Sequence, residues 1–335
     1  MPEKSVRVGL IGCGAVAQYG HLPAILRTHG LDLAAVCEVD RERLAEVADA
    51  TGARPCGTLD ELAGADLDAV VITSPATLHE EHLAWAAGQG LPVLCEKPLT
   101  LDEPGSVRAI ELMEEADRPL YVGFTYRFAP AALEIRRLIR EGAVGTPRAL
   151  RLIYLWDLHG AFADREHFTG VNERREGRIA EGGPMIDCGV HQIDLARWWL
   201  GGEPVPTSVV GIRVEGRETP DHLVAHLDVD GCQVMIEISI AYGHTAPATR
   251  PTFSYEVIGS EGVLRYRREE REFVAIGRSG IRELDWSPEK SFDGMYAAFA
   301  DALTGGPTDL LPTGRDGLAA TRIATDLSVR AAAAR

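Results

Sequence analysis

Hydrophobic positions in residues 1–124 form short apolar runs that alternate with stretches of helical periodicity. Runs of about four to eight apolar residues indicate buried strands, whereas apolar residues that recur every three or four positions indicate helices. The predicted strands are 6–11, 31–38, 69–73, 92–95 and 120–124, and the helices between them are 15–28, 41–50, 77–88 and 103–116. This alternation predicts a doubly wound parallel sheet with helices on both faces.

The pattern changes after residue 125, where strands follow one another directly. A helix at 128–141 and a strand at 147–156 precede a polar segment, 157–183, that predicts a long loop. A helix at 184–200 comes next, and two helices, 293–303 and 316–334, end the chain. The strands between them are 207–215, 222–229, 233–242, 252–259, 262–267, 272–276 and 282–286. Consecutive strands joined by short turns predict an antiparallel sheet.

The two patterns divide the chain into two predicted domains. Residues 1–124 form an α/β Rossmann domain, and residues 125–335 form an α+β domain with a large, open, mostly antiparallel sheet. The final helix is a candidate to pack back on the Rossmann domain.

A glycine-rich turn, Gly12-x-Gly14-x-x-Ala17, lies between the first predicted strand and its helix. Gly12 allows the tight turn, Gly14 lets a pyrophosphate approach the backbone, and Ala17 lets the helix pack closely on the strand. The start of the helix offers backbone N–H groups to phosphate, so Ala15 and Val16 join the glycines as cofactor-binding candidates. The turn therefore predicts a dinucleotide site.

An acidic residue, Glu38, ends the second predicted strand, about 20 residues after Ala17, where a carboxylate binds the ribose 2′-hydroxyl in dinucleotide folds. A carboxylate there repels a 2′-phosphate, and Val39 follows it instead of Arg or Lys. The expected cofactor is therefore NAD, with NADP less favoured. Glu38 as a plain charge at a strand end is the alternative.

Three further cofactor candidates, Thr73, Ser74 and Pro75, follow the third long strand, at the sheet edge where a Rossmann fold holds its cofactor. His79 either lines the cofactor or simply begins the next helix. Together with His82 it does not form a zinc-protease motif, which needs two histidines at i and i+4. We interpret residues 79–82 as a solvated helix face, and no metal is expected.

Two polar clusters offer acid–base chemistry. Glu96-Lys97-Pro98 follows a buried-looking strand, which places Lys97 well to stabilise an alkoxide or relay a proton. Glu96 and Lys97 are also cofactor-binding candidates. Asp187, His191 and Asp194 have spacings of i, i+4 and i+7, which put them on one face of a helix. His191 is the natural base for a hydroxyl proton near neutral pH. A surface lysine and a structural histidine in a capped helix are the alternatives.

The three motifs G-x-G-x-x-A, E-K-P and D-x-G-x-H-x-x-D, in this order, resemble the Gfo/Idh/MocA oxidoreductases over nearly the whole chain. The resemblance implies Lys97 and His191 as the catalytic pair, with Asp187 holding substrate hydroxyls and Asp194 supporting the site. Arg127, in a stretch similar to the family's R-F pair, is implied to lie near the substrate. Trp156 and Arg178 are further substrate candidates. The resemblance also implies a homodimer or homotetramer that forms through the C-terminal sheet.

Composition excludes several other classes. The chain has 34 Lys and Arg against 50 Asp and Glu, a formal charge of −16, which argues against nucleic-acid binding. No apolar run approaches the roughly 20 residues of a membrane helix. The six cysteines form no C-x-x-C pair and are interpreted as reduced thiols of a cytoplasmic protein. Asp157, His159 and His167 are too weak a pattern to predict a metal.

The favoured function is an NAD-dependent oxidoreductase that transfers hydride between the cofactor and a hydroxyl carbon of a sugar, polyol, inositol or sugar derivative. One alternative is a glycosidase that retains NAD for transient oxidation. The other is a non-enzymatic regulator that senses NAD or a sugar. The regulator has no need to keep Lys97, Asp187 and His191 together, so their presence argues against it.

Overall fold

The computed structural model describes residues 5–156, 177–242 and 250–334 of the 335-residue chain. Within these ranges the chain forms two units. The first contains residues up to 128 together with 290–319, and the second contains 129–289 together with residues from 320 onwards. The domain boundary expected at residue 124 stays a sequence-based prediction.

A six-stranded sheet with the order β3-β2-β1-β4-β5-β6 forms the centre of the first unit, and all its pairings are parallel. A strand that is buried on both faces of a sheet is apolar at every position. The strands at 69–72 and 93–95 show this pattern. The strands are β1 (Val6–Ile11), β2 (Leu31–Cys37), β3 (Arg54–Cys56), β4 (Ala69–Ile72), β5 (Val93–Cys95) and β6 (Leu120–Val122).

The second unit contains an eight-stranded sheet with the order β14-β13-β12-β11-β7-β10-β9-β8. Its strands are β7 (Pro147–Leu155), β8 (Val205–Ile212), β9 (His222–Val229), β10 (Cys232–Ser239), β11 (Thr252–Gly259), β12 (Gly262–Arg267), β13 (Glu272–Gly277) and β14 (Gly280–Glu283). The β7–β10 pair is parallel, and the other neighbours are antiparallel. Burial alternates along β9 and β11, so one face of the sheet is packed and the other is partly exposed.

The helices begin where the sequence supplies caps. The side chain of Asp40 accepts the N–H groups of Glu42 and Arg43, and that of Asp102 accepts the N–H group of Gly105. Two π-helical turns, Ala17–His21 and Met185–Gly189, each lead into an α-helix. The α-helices are α1 (Leu22–Arg27), α2 (Arg41–Thr51), α3 (Leu59–Ala63), α4 (His79–Gly88), α5 (Glu103–Glu115), α6 (Pro130–Arg140), α7 (Val190–Leu200), α8 (Phe292–Leu303) and α9 (Gly314–Ala333).

The core of the first unit includes residues from the C-terminal part of the chain. Met295, Tyr296 and Phe299 of α8 are fully buried in the same hydrophobic cluster as Leu10 and Val71 of the sheet. The Val122 N–H group also donates to the Pro312 carbonyl at 2.8 Å. The core of the first unit is therefore completed by residues that follow segment 129–289 in sequence.

The fold class predicted from the sequence is confirmed: a parallel Rossmann sheet precedes a mostly antiparallel one. The prediction missed β3 and α3, which have only three and five residues, with a proline inside β3. In the loop predicted at 157–183, residues 177–180 are instead helical. Asp157, His159 and His167 of that loop lie outside the described residues.

Candidate active site

The carboxyl ends of four neighbouring strands bring the predicted cofactor residues of the first unit to one edge of its sheet. Gly12 follows β1, Glu38 follows β2, Thr73 follows β4 and Glu96 follows β5. The strand order reverses between β1 and β4, and ligands of open α/β sheets bind in the crevice at such a reversal. The parallel topology therefore collects residues that lie far apart in sequence.

The turn after β1 has the shape that a dinucleotide requires. Gly12 has a φ of 91°, and a Cβ atom on it would lie 2.7 Å from the Ser74 backbone nitrogen. A Cβ atom on Gly14 would have no neighbour within 4 Å, so this part of the backbone is open to a close-lying phosphate. Ala17 is fully buried, whereas Ala15 is exposed and Val16 half-buried. The roles of these positions in binding a cofactor stay sequence-based predictions.

Glu38 is buried, and its carboxylate is bound to the glycine turn. Oε2 accepts the Cys13 N–H group at 2.8 Å, and Oε1 accepts the Asp40 N–H group at 3.0 Å. Arg43 Nη1 lies 3.6 Å from Oε2. Burial, followed by the Glu38 charge, raises the pKa of the Cys13 thiol to about 12, so this thiol stays protonated. Glu38 thus fixes both a negative charge and the shape of the turn.

The segment after β4 is tied to the glycine turn. Thr73 Oγ1 donates to the carbonyl oxygens of Ile11 and Gly12, at 3.2 and 2.5 Å. Ser74 Oγ lies 2.8 Å from His82 Nδ1, and Pro75 is exposed. The two turns that flank the β1–β4 crevice are therefore held at a fixed spacing.

His79 begins α4, and its ring is buried. Nε2 lies 3.0 Å from the Ser74 carbonyl oxygen, while Nδ1 lies 3.0 and 3.1 Å from those of Pro98 and Leu99. Burial lowers the pKa of His79 and outweighs the three carbonyls, which raise it. His79 and His82 are both buried, so the interpretation of residues 79–82 as a solvated face is wrong for the histidines. His79 links the turns after β4 and β5.

The turn after β5 carries Lys97, whose side chain is partly exposed. Its backbone N–H group donates to Glu96 Oε2 at 3.2 Å, and the Lys97–Pro98 peptide is cis. The other carboxylate oxygen of Glu96 lies 3.0 Å from His21 Nε2, and His21 Nδ1 lies 2.7 Å from the Tyr296 hydroxyl. The sequence analysis missed His21 and Tyr296, because they are far from Glu96 along the chain and belong to no local motif.

In the second unit, Asp187 lies in the π-helical turn before α7, and His191 lies in the first turn of α7. Arg178 Nε is 3.4 Å from Asp187 Oδ1, and its Nη1 is 3.0 Å from Glu181 Oε2. The charge of Asp187, partly offset by burial, raises the pKa of Arg178. His191 and Asp194 are both buried. The structure therefore pairs two of the predicted site residues, Arg178 and Asp187.

The remaining substrate candidates lie in different units. Arg127 belongs to the first unit, is buried, and pairs with Asp316 at 3.3 Å. Trp156 belongs to the second unit and stacks on Tyr154 with ring centroids 5.4 Å apart and an interplanar angle of 12°. It follows β7, next to the end of the parallel strand β10. The observed contact of Trp156 is therefore a stacked pair with Tyr154, and that of Arg127 is an ion pair with Asp316.

Within the described ranges, no three His, Cys, Asp or Glu side chains cluster as metal ligands. No helix among the described residues is long and apolar enough to cross a membrane.

Comparisons with known proteins agree with this architecture. Residues 6–124 match the family described as "Oxidoreductase family, NAD-binding Rossmann fold", and residues 132–265 match the GFO/IDH/MocA C-terminal domain. Inositol 2-dehydrogenase from Corynebacterium glutamicum is 33% identical over 262 residues, which cover 75% of this chain and 72% of that protein.

Two solved structures share the fold over nearly their whole length. An oxidoreductase from Agrobacterium radiobacter, in complex with NAD⁺, L-tartaric acid and magnesium, has a TM-score of 0.82 at 23% identity, covering 99% of this chain and 98% of its own. A 3-ketoreductase from Actinomadura kijaniata, in complex with NADP, has a TM-score of 0.78 at 22% identity, covering 98% of both chains. The chain therefore belongs to the GFO/IDH/MocA family, and it is an NAD(P)-dependent oxidoreductase acting on CH–OH groups.

Proposed function

We propose that this protein is an NAD-dependent dehydrogenase that oxidises a hydroxyl carbon of an inositol, or of a related polyol, sugar or sugar derivative. The observation that carries the proposal is the position of Lys97, at the carboxyl end of β5 and on the same sheet edge as the glycine turn. The inositol 2-dehydrogenase that shares 33% identity supports the substrate class.

The preference for NAD rests on Glu38. Its carboxylate is buried, and two backbone N–H groups hold it beside the glycine turn, at 2.8 and 3.0 Å. A fixed negative charge at this place repels a 2′-phosphate and accepts hydrogen bonds from a 2′-hydroxyl. Arg43, the nearby cation, pairs with Glu38 and also with Asp40, at 3.6 and 3.3 Å. The carboxylates of Glu38 and Asp40 therefore neutralise the Arg43 cation, which could otherwise attract a 2′-phosphate.

The roles of the catalytic residues follow their chemistry and the family resemblance. Lys97 donates hydrogen bonds to the substrate oxygen and stabilises the negative charge that develops there. His191 accepts the hydroxyl proton as general base. A bound nicotinamide would supply the acceptor for the hydride that leaves the substrate carbon. Asp194 supports His191 from within α7.

Substrate hydroxyls are assigned to Asp187. Arg178, 3.4 Å away, stabilises the negative charge of this carboxylate. An ionised carboxylate accepts hydrogen bonds only, and the hydroxyls of a polyol donate them. Trp156, stacked on Tyr154, offers a flat apolar surface of the kind that contacts the C–H face of a sugar ring. Arg127 is a further substrate candidate.

The partly exposed face of the eight-stranded sheet is proposed as the contact between copies of this chain. It mixes apolar side chains such as Ile153 and Met235 with cross-strand ion pairs, including Arg151–Glu256 at 2.9 Å. A homodimer or homotetramer built on this face would bury these side chains.

The proposal is tested by NADH formation in the presence of NAD across a panel of inositols, polyols and aldoses. Wild-type protein should turn over at least one of them, and Lys97→Ala should lower kcat by about 10²- to 10³-fold. Lys290→Ala is the matched control, because it removes the other described lysine, which lies over the Tyr126 ring and has no role in the proposed reaction. NADH and NADPH titrations, followed by fluorescence, should show tighter binding of NADH.

The proposal is wrong if protein shown to bind NADH turns over nothing in the panel. Cleavage of an aryl glycoside without net NADH release would then indicate a glycosidase that retains its cofactor. Tighter binding of NADPH than of NADH would contradict the role given to Glu38.

A further inference from the structure

Three buried polar side chains, His21, Tyr296 and Glu96, form a chain of hydrogen bonds behind Lys97. His21 and Tyr296 are fully buried, and Glu96 is 7% exposed. His21 Nδ1 lies 2.7 Å from the Tyr296 hydroxyl, and His21 Nε2 lies 3.0 Å from Glu96 Oε1. All these residues belong to the first unit, and the proposed reaction gives no role to His21 or Tyr296.

The direction of these hydrogen bonds follows from the acceptor at one end. When Glu96 is ionised its carboxylate only accepts, so the N–H of His21 Nε2 donates a hydrogen bond to Glu96 Oε1. Unprotonated Nδ1 then accepts a hydrogen bond from the Tyr296 hydroxyl. Burial, followed by the Glu96 charge, raises the pKa of Tyr296, which keeps its hydroxyl a donor. Tyr296 thereby selects the tautomer of His21 that binds Glu96.

The chain continues from Glu96 to the backbone of Lys97. Glu96 Oε2 accepts the Lys97 N–H group at 3.2 Å. On the other side of the turn, His79 Nδ1 lies 3.0 Å from the Pro98 carbonyl oxygen. The turn that carries Lys97 therefore lies between two buried imidazoles. His21 contacts it through Glu96, and His79 Nδ1 lies next to its Pro98 carbonyl oxygen.

Tight packing fixes the network in place. The Phe292 ring meets the His21 ring edge-on at 5.0 Å, and a Cβ atom on Gly20 would lie 2.5 Å from that phenyl ring. A Cβ atom on Gly123 would lie 2.7 Å from Glu96 Oε1. The π-helical turn Ala17–His21 presents His21 to this cluster, and such turns often occur at functional sites. There is little free volume in which Glu96 could move.

We propose that His21 is a positioning residue for Lys97, acting through Glu96 and oriented by the Tyr296 hydroxyl. The inference rests on the proposed catalytic role of Lys97 and adds two residues to the machinery. Displacement of a catalytic group by about 1 Å can cost about 100-fold in rate. Because the network holds the turn and not the substrate, its loss should lower kcat more than it raises KM.

Three variants separate the contributions. Tyr296→Phe removes one hydroxyl and keeps the packing, His21→Leu removes both ring nitrogens, and His21→Gln keeps an N–H donor for Glu96. We expect kcat to fall about 10- to 100-fold in His21→Leu and about 3- to 10-fold in Tyr296→Phe, with KM within about twofold. His21→Gln should recover part of the loss. Tyr121→Phe, a buried tyrosine outside the network, is the matched control and should match the wild type.

A second measurement needs no substrate. The sequence contains three lysines, at positions 4, 97 and 290, so acylation of each can be followed by mass spectrometry as a function of pH. The acylation profile of Lys97 should shift by at least about half a pH unit in His21→Leu and Tyr296→Phe, because its surroundings change. The profile of Lys290 serves as the internal standard.

An unchanged Lys97 profile in folded Tyr296→Phe, together with kcat within twofold of wild type, would overturn the inference. So would equal loss in His21→Gln and His21→Leu, since a donor to Glu96 would then be irrelevant. If wild-type protein turns over no polyol, the proposed function fails, but the acylation profiles still test the positioning of Lys97.

Discussion

Gly12 is under two separate constraints, and Gly30 is under only one of them. Both have a positive φ, 91° at Gly12 and 87° at Gly30. A Cβ atom at Gly12 would also lie 2.7 Å from the backbone of Ser74, whereas one at Gly30 would have no neighbour within 4 Å. The pair therefore separates the cost of backbone conformation from the cost of steric contact.

We expect Gly30→Ala to lower the free energy of unfolding by about 1–2 kcal/mol, the cost of a left-handed alanine. Gly12→Ala should cost about 1–3 kcal/mol more, because the added methyl group displaces the turn after β4. Urea denaturation measures both values. Fluorescence titration should show that Gly12→Ala loses NADH binding and Gly30→Ala keeps it. Equal effects of the two substitutions would show that the contact with Ser74 is unimportant.

The site residues that the sequence identified share a local signature. Gly12, Gly14 and Glu38 are recognisable because their roles depend on neighbours in sequence and on strand ends. His21 and Tyr296 have no such signature, since their partners become neighbours only when the chain folds. Conversely, His79 is recognisable in the sequence, but only the structure shows that its two ring nitrogens lie 3.0–3.1 Å from three carbonyl oxygens.

The element boundaries follow the apolar pattern well where an element is long. The structure gives β9, β11 and β12 the same limits that periodicity predicts. The pattern gives no sign of β3, because three residues with a central proline carry no alternation. It also gives no sign of the π-helical turns, because five residues are too few to show a periodicity of their own. The spacing of Asp187 and His191 thus spans a π-helical turn and an α-helix.

His79, at the start of α4, lies against the turn after β5. Because its ring is buried there, the free energy of unfolding should depend on pH. The pKa of His79 lies below the ordinary value of 6.5 in the folded protein, because the ring is buried. As pH falls below about 6.5, the unfolded chain binds a proton that the folded chain does not, so folded stability decreases. We expect His79→Asn, which keeps an N–H donor, to show a smaller loss of melting temperature between pH 7 and about 5.5.

His29→Gln is the control, since it removes an imidazole from an exposed position. Its melting temperature should fall with pH as steeply as that of the wild type. If the melting temperature of His79→Asn falls with pH as steeply as that of the wild type, His79 is not the source of the pH dependence.

The partly exposed face of the eight-stranded sheet leads to a prediction about oligomeric state. The partly exposed face carries Ile153 on the central strand β7, where it pairs across strands with Glu237 and Ser254. If a second copy covers this face, Ile153→Asp should introduce an unpaired charge into the contact and weaken association. Light scattering after size-exclusion chromatography should then give a smaller mass for Ile153→Asp than for wild type.

Val329→Asp is the control for this change. Val329 is 63% exposed on α9 and belongs to no strand of the sheet, and its replacement should leave the mass unchanged. Circular dichroism checks that both variants are folded. A monomeric wild type, or a mass unaffected by Ile153→Asp, would contradict an assembly through this face.

The order of the two sheets, parallel and then mostly antiparallel, was predictable from the sequence. Alternating strands and helices, followed by strands joined by short turns, are patterns that extend over many residues. The sequence offered only the final helix, 316–334, as a candidate to pack back on the first domain; it gave no sign that 290–315 also belongs to the first unit. Met295 and Phe299 show the helical apolar pattern of any amphipathic helix, and such a pattern does not specify which core it enters.

This return of the chain has a consequence during protein synthesis. The first unit cannot close its core when its own 128 residues have left the ribosome, because α8 is still about 160 residues away. At about 5–20 residues per second, this delay is roughly 8 to 32 s. Throughout it, the site for Tyr296 stays unfilled and His21 has Glu96 but not the Tyr296 hydroxyl as a partner. The nascent Rossmann sheet should therefore be a substrate for chaperones and proteases until α8 emerges.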